Sequence, residues 1–168
     1  IEKIPTLTAQ RRTEVMKYLD LICEDIEQSE ANYIAFKNGI YDIVTDTLIP
    51  YTPDIILTNR INHNYNVSAY NQLTDTTLDK LACNDNEVRA LLEECIGYCF
   101  YRRNELGKAF ILTGDKANGK STFLDLIKYI LGDSNISALD LRVLGDRFST
   151  AMIFGKLANI GDDIGDEF

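Results

Sequence analysis

The spacing of apolar residues changes along the chain, and the changes mark its elements. After Thr8, a plausible helix N-cap, Val15, Leu19, Ile22 and Ile26 recur at helical spacing. A first helix is predicted there, fading in the acidic, polar stretch Glu27-Gln-Ser-Glu30. The pattern then shortens. Tyr33 to Phe36 reads as a short apolar strand, and Asn38-Gly39 is a hairpin-type dipeptide. Ile40 to Val44 and Leu48-Ile49 flank a Thr-Asp-Thr turn before Pro50 and Pro53 break the pattern. Ile55 to Tyr65 is a further extended, Asn-rich stretch. This section is predicted to be a small meander of hairpins, structural rather than catalytic. Asp42 and Asp46 read as turn residues, not metal ligands.

Helical spacing returns near Leu73. A short helix is predicted over Thr77 to Cys83, and a stronger one starts at Asp85-Asn86-Glu87. The second carries Val88, Leu91, Leu92, Cys95, Ile96 and Cys99 on one face. Lys108 to Thr113 reads as a strand and Thr122 to Leu131 as a helix. A β-prone patch follows at Asn135 to Leu139, then a helix over Asp140 to Met152 interrupted around Gly145 to Phe148. The last strand is Lys156 to Ile160. Strands alternating with helices indicate an α/β fold, a parallel sheet with helices on both faces. The chain thus divides into residues 1–72, a helix plus a β-hairpin region, and residues 73–168, a helical lead-in to an α/β core.

Between the strand at 108–113 and the next helix lies Gly114-Asp115-Lys116-Ala117-Asn118-Gly119-Lys120-Ser121. It fits the phosphate-binding pattern G-x-x-x-x-G-K-[ST], in the strand–loop–helix context the motif requires. Glycines let the backbone curl until several N–H groups face phosphate oxygens, and the helix N-terminus adds its positive dipole end. Lys120 is placed to reach the β- and γ-phosphates of ATP, and the Ser121 hydroxyl to ligate Mg²⁺, with Thr122 completing the loop. A second feature lies about 40 residues on, where the last strand runs into Asp162-Asp163. Nucleotide hydrolysis on this kind of loop needs an acid at a strand's C-terminal edge to hold the Mg²⁺. Asp162 is assigned to the metal side, and Asp163 to polarising the attacking water.

Composition narrows the picture. The 168 residues are 45% hydrophobic and 26% charged, as in an ordinary globular domain. The formal charge of −9 argues against a domain that coats nucleic acid, though not against a local basic patch. Arg11-Arg12 and Arg102-Arg103 are the paired basic residues, and solvated helix ends or faces account for both. Cys23, Cys83, Cys95 and Cys99 form no C-x-x-C, and His63 is the sole histidine, so buried free thiols of a reducing cytoplasm are expected. No apolar run is long enough to span a bilayer. The chain opens on Ile1 rather than Met, as a piece of a longer protein would.

The run Gly114 to Phe123, with Asn118 just before Gly119-Lys120, resembles the P-loop of phage and plasmid primase-helicases of the superfamily 3 type, related to the poxvirus primase-helicase. Asp146-Arg-Phe148 followed by Gly155 to Asp163 resembles that family's approach to its acidic pair. Phe36 to Asp42, with Leu48 to Pro53 after it, resembles the small domain preceding the helicase core. The likeness runs from about residue 8 to residue 168. It implies an AAA+-like ATPase that forms hexameric rings and moves on single-stranded DNA during replication, in the cytoplasm of a bacterial host if phage-encoded. By residue it matches Lys120 and Ser121 to the phosphate and Mg²⁺ positions, and Asp162 and Asp163 to the acidic pair. The family's sensor strand, arginine finger and DNA-contacting loop would follow residue 168. Because the sensor strand lies between the P-loop strand and the acidic strand, a gap in the middle of the sheet, or a strained closure of it, is expected. The chain by itself is expected to be inactive.

Two other classes fit the same loop. A small-molecule or nucleotide kinase also uses it but needs an Arg-rich lid, and only Arg142 and Arg147 follow the loop. A non-catalytic nucleotide-binding assembly module would bind without turnover. No candidate polymerase motif of a primase is present.

Overall fold

A computed structural model describes residues 8–23, 27–146 and 149–161. Helix α1 spans Ala9–Ile22, and the Thr8 side chain accepts a hydrogen bond from the Arg11 N–H. None of its residues is buried: Tyr18, Leu21 and Ile22 all face solvent. The predicted apolar face is present in sequence but uncovered among the described residues.

The hairpin region forms, but its first turn falls one residue earlier than the predicted Asn38-Gly39, and Gly39 opens a strand. Strands β1 (Tyr33–Phe36), β2 (Gly39–Asp42) and β3 (Thr47–Ile49) make an antiparallel sheet in chain order. Phe36 pairs with Gly39 across the Lys37-Asn38 turn, and Asp42 pairs with Thr47. Asp42 organises the second turn. Its carboxylate accepts from Asn32 Nδ2 at 2.9 Å, the Val44 N–H at 3.0 Å and Thr45 Oγ1 at 2.9 Å. The Asn32 amide, foremost among these donors, holds the Asp42 carboxyl below its usual range. Residues 55–65 make no ladder beyond one isolated bridge, in which Ile61 lies parallel to Phe36 and its N–H donates to Ala35 O at 2.8 Å.

Two helices in contact follow. Helix α2 covers Gln72–Leu81, starting five residues before its predicted Thr77 because Asn71 caps it through the Thr74 N–H. Helix α3 covers Asn86–Tyr98, capped by Asp85. Arg89 of α3 ties the pair. Its guanidinium bonds Asp75 Oδ1 at 2.7 Å, the Asp75 carbonyl at 3.0 Å, Asp79 and, one turn on, Glu93. Of the predicted α3 face, Cys95 is buried and Leu92, Ile96 and Cys99 are packed, whereas Val88 and Leu91 remain exposed.

Helix α4 spans Lys120–Leu131 and buries Phe123, Ile127 and Leu131, a strict i, i+4, i+8 stripe. These join Ile61, Leu78, Cys95 and Ile160 in one core. Strand β4 (Ile136–Ser137) pairs in parallel with β5 (Ala158–Asn159). Asn159 rivets the ladder, accepting from Ser137 Oγ and the Leu139 N–H and donating to Leu139 O.

Three expectations are corrected. The predicted strand at 108–113 has no ladder partner among the described residues, and Phe110 and Ile111 are 44% and 67% exposed. Only Leu112 packs on the core. A strand needs neighbours for its N–H and C=O groups, and none lies beside this run among the described residues. The parallel sheet therefore appears as two strands, in a mixed α/β fold. The helix predicted over 140–152 is a 3₁₀ turn at Leu141–Val143 and a short α5 at Thr150–Ile153. Leu141 and Met152 are exposed, so among the described residues little packing sustains a longer helix. Of the four free cysteines only Cys95 is buried; Cys23 and Cys83 are exposed. Burial pushes the Cys99 thiol up to about 11. Among the described residues no helix is long and apolar enough to cross a membrane.

Candidate functional site

The glycine-rich loop is built by backbone geometry that its sequence permits. Gly114, Ala117 and Gly119 have φ of 144°, 58° and 89°. Two sit where a side chain would collide. A Cβ on Gly114 would overlap the Asn118 amide, and one on Gly119 would overlap the Leu81 side chain at the end of α2. Ala117 accepts a left-handed conformation that costs about 1 kcal/mol. Gly119 is the N-cap of α4, which has no side-chain cap. The first-turn N–H groups of an α-helix have no partner within the helix, so here they are left for another acceptor.

Lys120 folds back over the loop. Its ammonium donates to Gly114 O at 2.8 Å, Asp115 O at 2.8 Å and Asn118 Oδ1 at 3.0 Å. Ser121 and Thr122, in the first turn of α4, are exposed. The whole predicted run from Gly114 to Thr122 thus forms one continuous loop-to-helix surface, with Asp115, Lys116, Ala117 and Asn118 also exposed. Strand β5 and the following Ile160 lead toward the acidic pair: Ile160 is buried and its N–H donates to Ser137 O at 2.8 Å. Asp162 and Asp163 themselves lie outside the described residues, as do Arg147 and Phe148.

The loop and the far end of α4 are held by residues that sequence reading passes over. Leu81 packs behind Gly119. Buried Asn135, just after α4, donates to Leu131 O at 2.8 Å and Arg60 O at 2.9 Å and accepts from Asn59 Nδ2 at 3.2 Å. Asn59 also donates to Gly155 O at 2.7 Å. His63 adds a contact between Nε2 and Tyr129 O at 3.1 Å. Polar residues that tie distant segments carry no local pattern. Arg102 likewise departs from a solvated helix end. It is partly buried and donates to Ser29 O at 2.8 Å and to Glu30 O.

Comparison with known proteins yields two family matches on adjacent stretches of the chain. A family model described as D5 N terminal like matches residues 2–97, more than half of the 168 residues. The chain belongs to the D5 N terminal like family. In this D5 N terminal like chain, the matched stretch holds the hairpin sheet and the α2–α3 pair. Residues 112–167 match a second model, described as a family of unknown function (DUF5906), which contains the glycine-rich loop, α4 and β5. The chain is also 29% identical over 126 residues to a protein of Acanthamoeba polyphaga mimivirus named "Putative helicase L207/L206". That alignment covers 73% of this chain and 13% of the viral protein, so the chain spans about an eighth of that relative's length.

Proposed function

We propose that this chain is the ATP-binding part of a replicative DNA helicase of the phage and plasmid primase-helicase type, superfamily 3. The observation that carries the reading is the glycine-rich loop opening an uncapped helix, with Lys120 held over the loop mouth. Kinship with the D5 N terminal like family and with a viral protein named as a helicase supports it. The loop suits a triphosphate chemically. Gly114 and Gly119 adopt φ values that side-chain-bearing residues rarely adopt, and the open end of α4 favours an anion.

In this reading Gly114 to Gly119 wrap the phosphates, Lys120 transfers its ammonium from loop carbonyls to the β- and γ-phosphate oxygens, and Ser121 and Thr122 present hydroxyls at the first turn. Mg²⁺, when bound, neutralises phosphate charge beside the Ser121 hydroxyl. Asp162 serves the metal side and Asp163 orients the attacking water. In the whole protein, ATP hydrolysis drives unwinding within a homo-oligomeric ring, expected to be a hexamer, that holds single-stranded DNA. The unpaired run at 108–113 is where a sensor strand would complete the parallel sheet.

Calorimetry with Mg·ATP tests the binding step. Wild-type chain is expected to bind, and Lys120→Ala to lose about 100-fold or more in affinity, since charge-assisted phosphate contacts dominate such sites. Unchanged binding in that variant sinks the assignment. In the whole protein, single-stranded DNA is expected to raise ATP turnover. Turnover that ignores DNA and responds to a small phosphate acceptor instead would favour a kinase.

A further inference from the structure

We propose that Asn118 is a positioning residue that latches Lys120 in the resting loop, and that releasing this latch sets how readily the loop accepts a nucleotide. The second half rests on the nucleotide-binding reading above. A lysine ammonium has three N–H donors. In this loop all three are spent, on Gly114 O, Asp115 O and Asn118 Oδ1. Two of those acceptors are main-chain carbonyls that any sequence supplies. The third is a side chain, and so depends on the residue at 118.

The same amide has a second contact. Its Nδ2 lies against Gly114, in the space a Cβ there would occupy. Asn118 therefore spans the loop from its first glycine to its lysine. Left-handed residues, Ala117 and Gly119, flank it on both sides. A phosphate can engage Lys120 only after the ammonium leaves these oxygens, so the Asn118 bond opposes binding.

The test reads Lys120 directly. The initial rate of acetylation of Lys120 by an N-hydroxysuccinimide ester is followed by peptide mass spectrometry in nucleotide-free chain, across a pH series, with Lys116 as internal reference. Asn118 is exposed, so its variants should fold as the wild type does, checked by thermal melting. Asn118→Ala is expected to acetylate about 3- to 10-fold faster at Lys120, the effect of losing one hydrogen bond to a charged group at a wet site. Asn118→Asp, which offers a carboxylate, is expected to acetylate more slowly than wild type. Equal rates in all three proteins overturn the latch. Mg·ADP affinity of Asn118→Ala is expected to rise by about the same 3- to 10-fold. A fall in affinity overturns the latch in favour of direct nucleotide contact by Asn118. Failure of the wild-type chain to bind Mg·ADP overturns the nucleotide reading and the second half of the proposal, while the acetylation rates still decide the first.

Discussion

Helices α1 and α4 are alike in length, 14 and 12 residues, and opposite in how they are held. Helix α1 has its first turn closed by Thr8 and buries no side chain. Helix α4 has its first turn open at Gly119 and buries three. Helices this short are marginal in water without outside support. Helix α1 takes that support from its own cap. Helix α4 takes it from the core, which leaves its N-terminus free to meet something else. The contrast separates a helix end that is finished locally from one kept available at the cost of a cap worth about 1 kcal/mol.

The strongest way to break this comparison is to remove core contacts from α4 and matching bulk from α1. Leu131→Ala is expected to destabilise the chain by about 2–5 kcal/mol, as deletion of a fully buried leucine does. Leu21→Ala, at an 84% exposed position, should change stability by no more than about 0.5 kcal/mol. Urea denaturation of both variants decides it, and equal losses would show that α1 is packed after all. Next in size is Asn135→Ala. It strands the Leu131 and Arg60 carbonyls and the Asn59 amide together. A loss of about 2–3 kcal/mol is expected from those buried groups, and a change below about 0.5 kcal/mol would mean water replaces the amide.

Acid should sharpen the contrast between regions. Arg89 holds the Asp75 carboxyl below its usual range, with help from the Tyr70 hydroxyl. A carboxylate depressed in the folded state stabilises fully above its unfolded value of about 3.9 and loses that contribution as pH falls through the lower folded value. Hydrogen exchange below about pH 4 should therefore quicken in α2 and α3 before α4, whose buried stripe is apolar. Arg89→Met should remove that early quickening, and simultaneous exchange of all three helices in wild type would refute the idea. The smallest effect is at the cap. Thr8→Ala is expected to cost α1 about 1 kcal/mol, seen as faster exchange in its first turn with the global melting temperature unchanged.

What can be read in the sequence is local. The Asn38-Gly39 pair signals the first hairpin to within one residue, the residues around Asp42 specify the second, and the stripe Phe123, Ile127, Leu131 specifies α4. The loop from Gly114 to Ser121 announces itself because each position has a fixed mechanical task. The run at 108–113 misleads for the opposite reason: its apolar residues have strand character, but a strand is a relation between segments. Arg102, Asn59 and Asn135 escape notice because their partners lie about 70 to 100 residues away, a distance no window of sequence covers. The start of α2 is hidden because Asn71 reads equally as turn or cap.

The contact between Leu81 and Gly119 bears on how such a protein can be cut into pieces. The two family matches leave a seam between residues 97 and 112. Cloning at that seam would part Leu81 from the loop it backs, and Asn59 from Asn135 and Gly155. A fragment begun after residue 97 would carry every residue of the loop and lack the wall it leans on. A boundary drawn from sequence families therefore runs through the middle of a working mechanical joint, and expression fragments are better begun ahead of β1, which keeps Asn59 and Ile61 as well as Leu81.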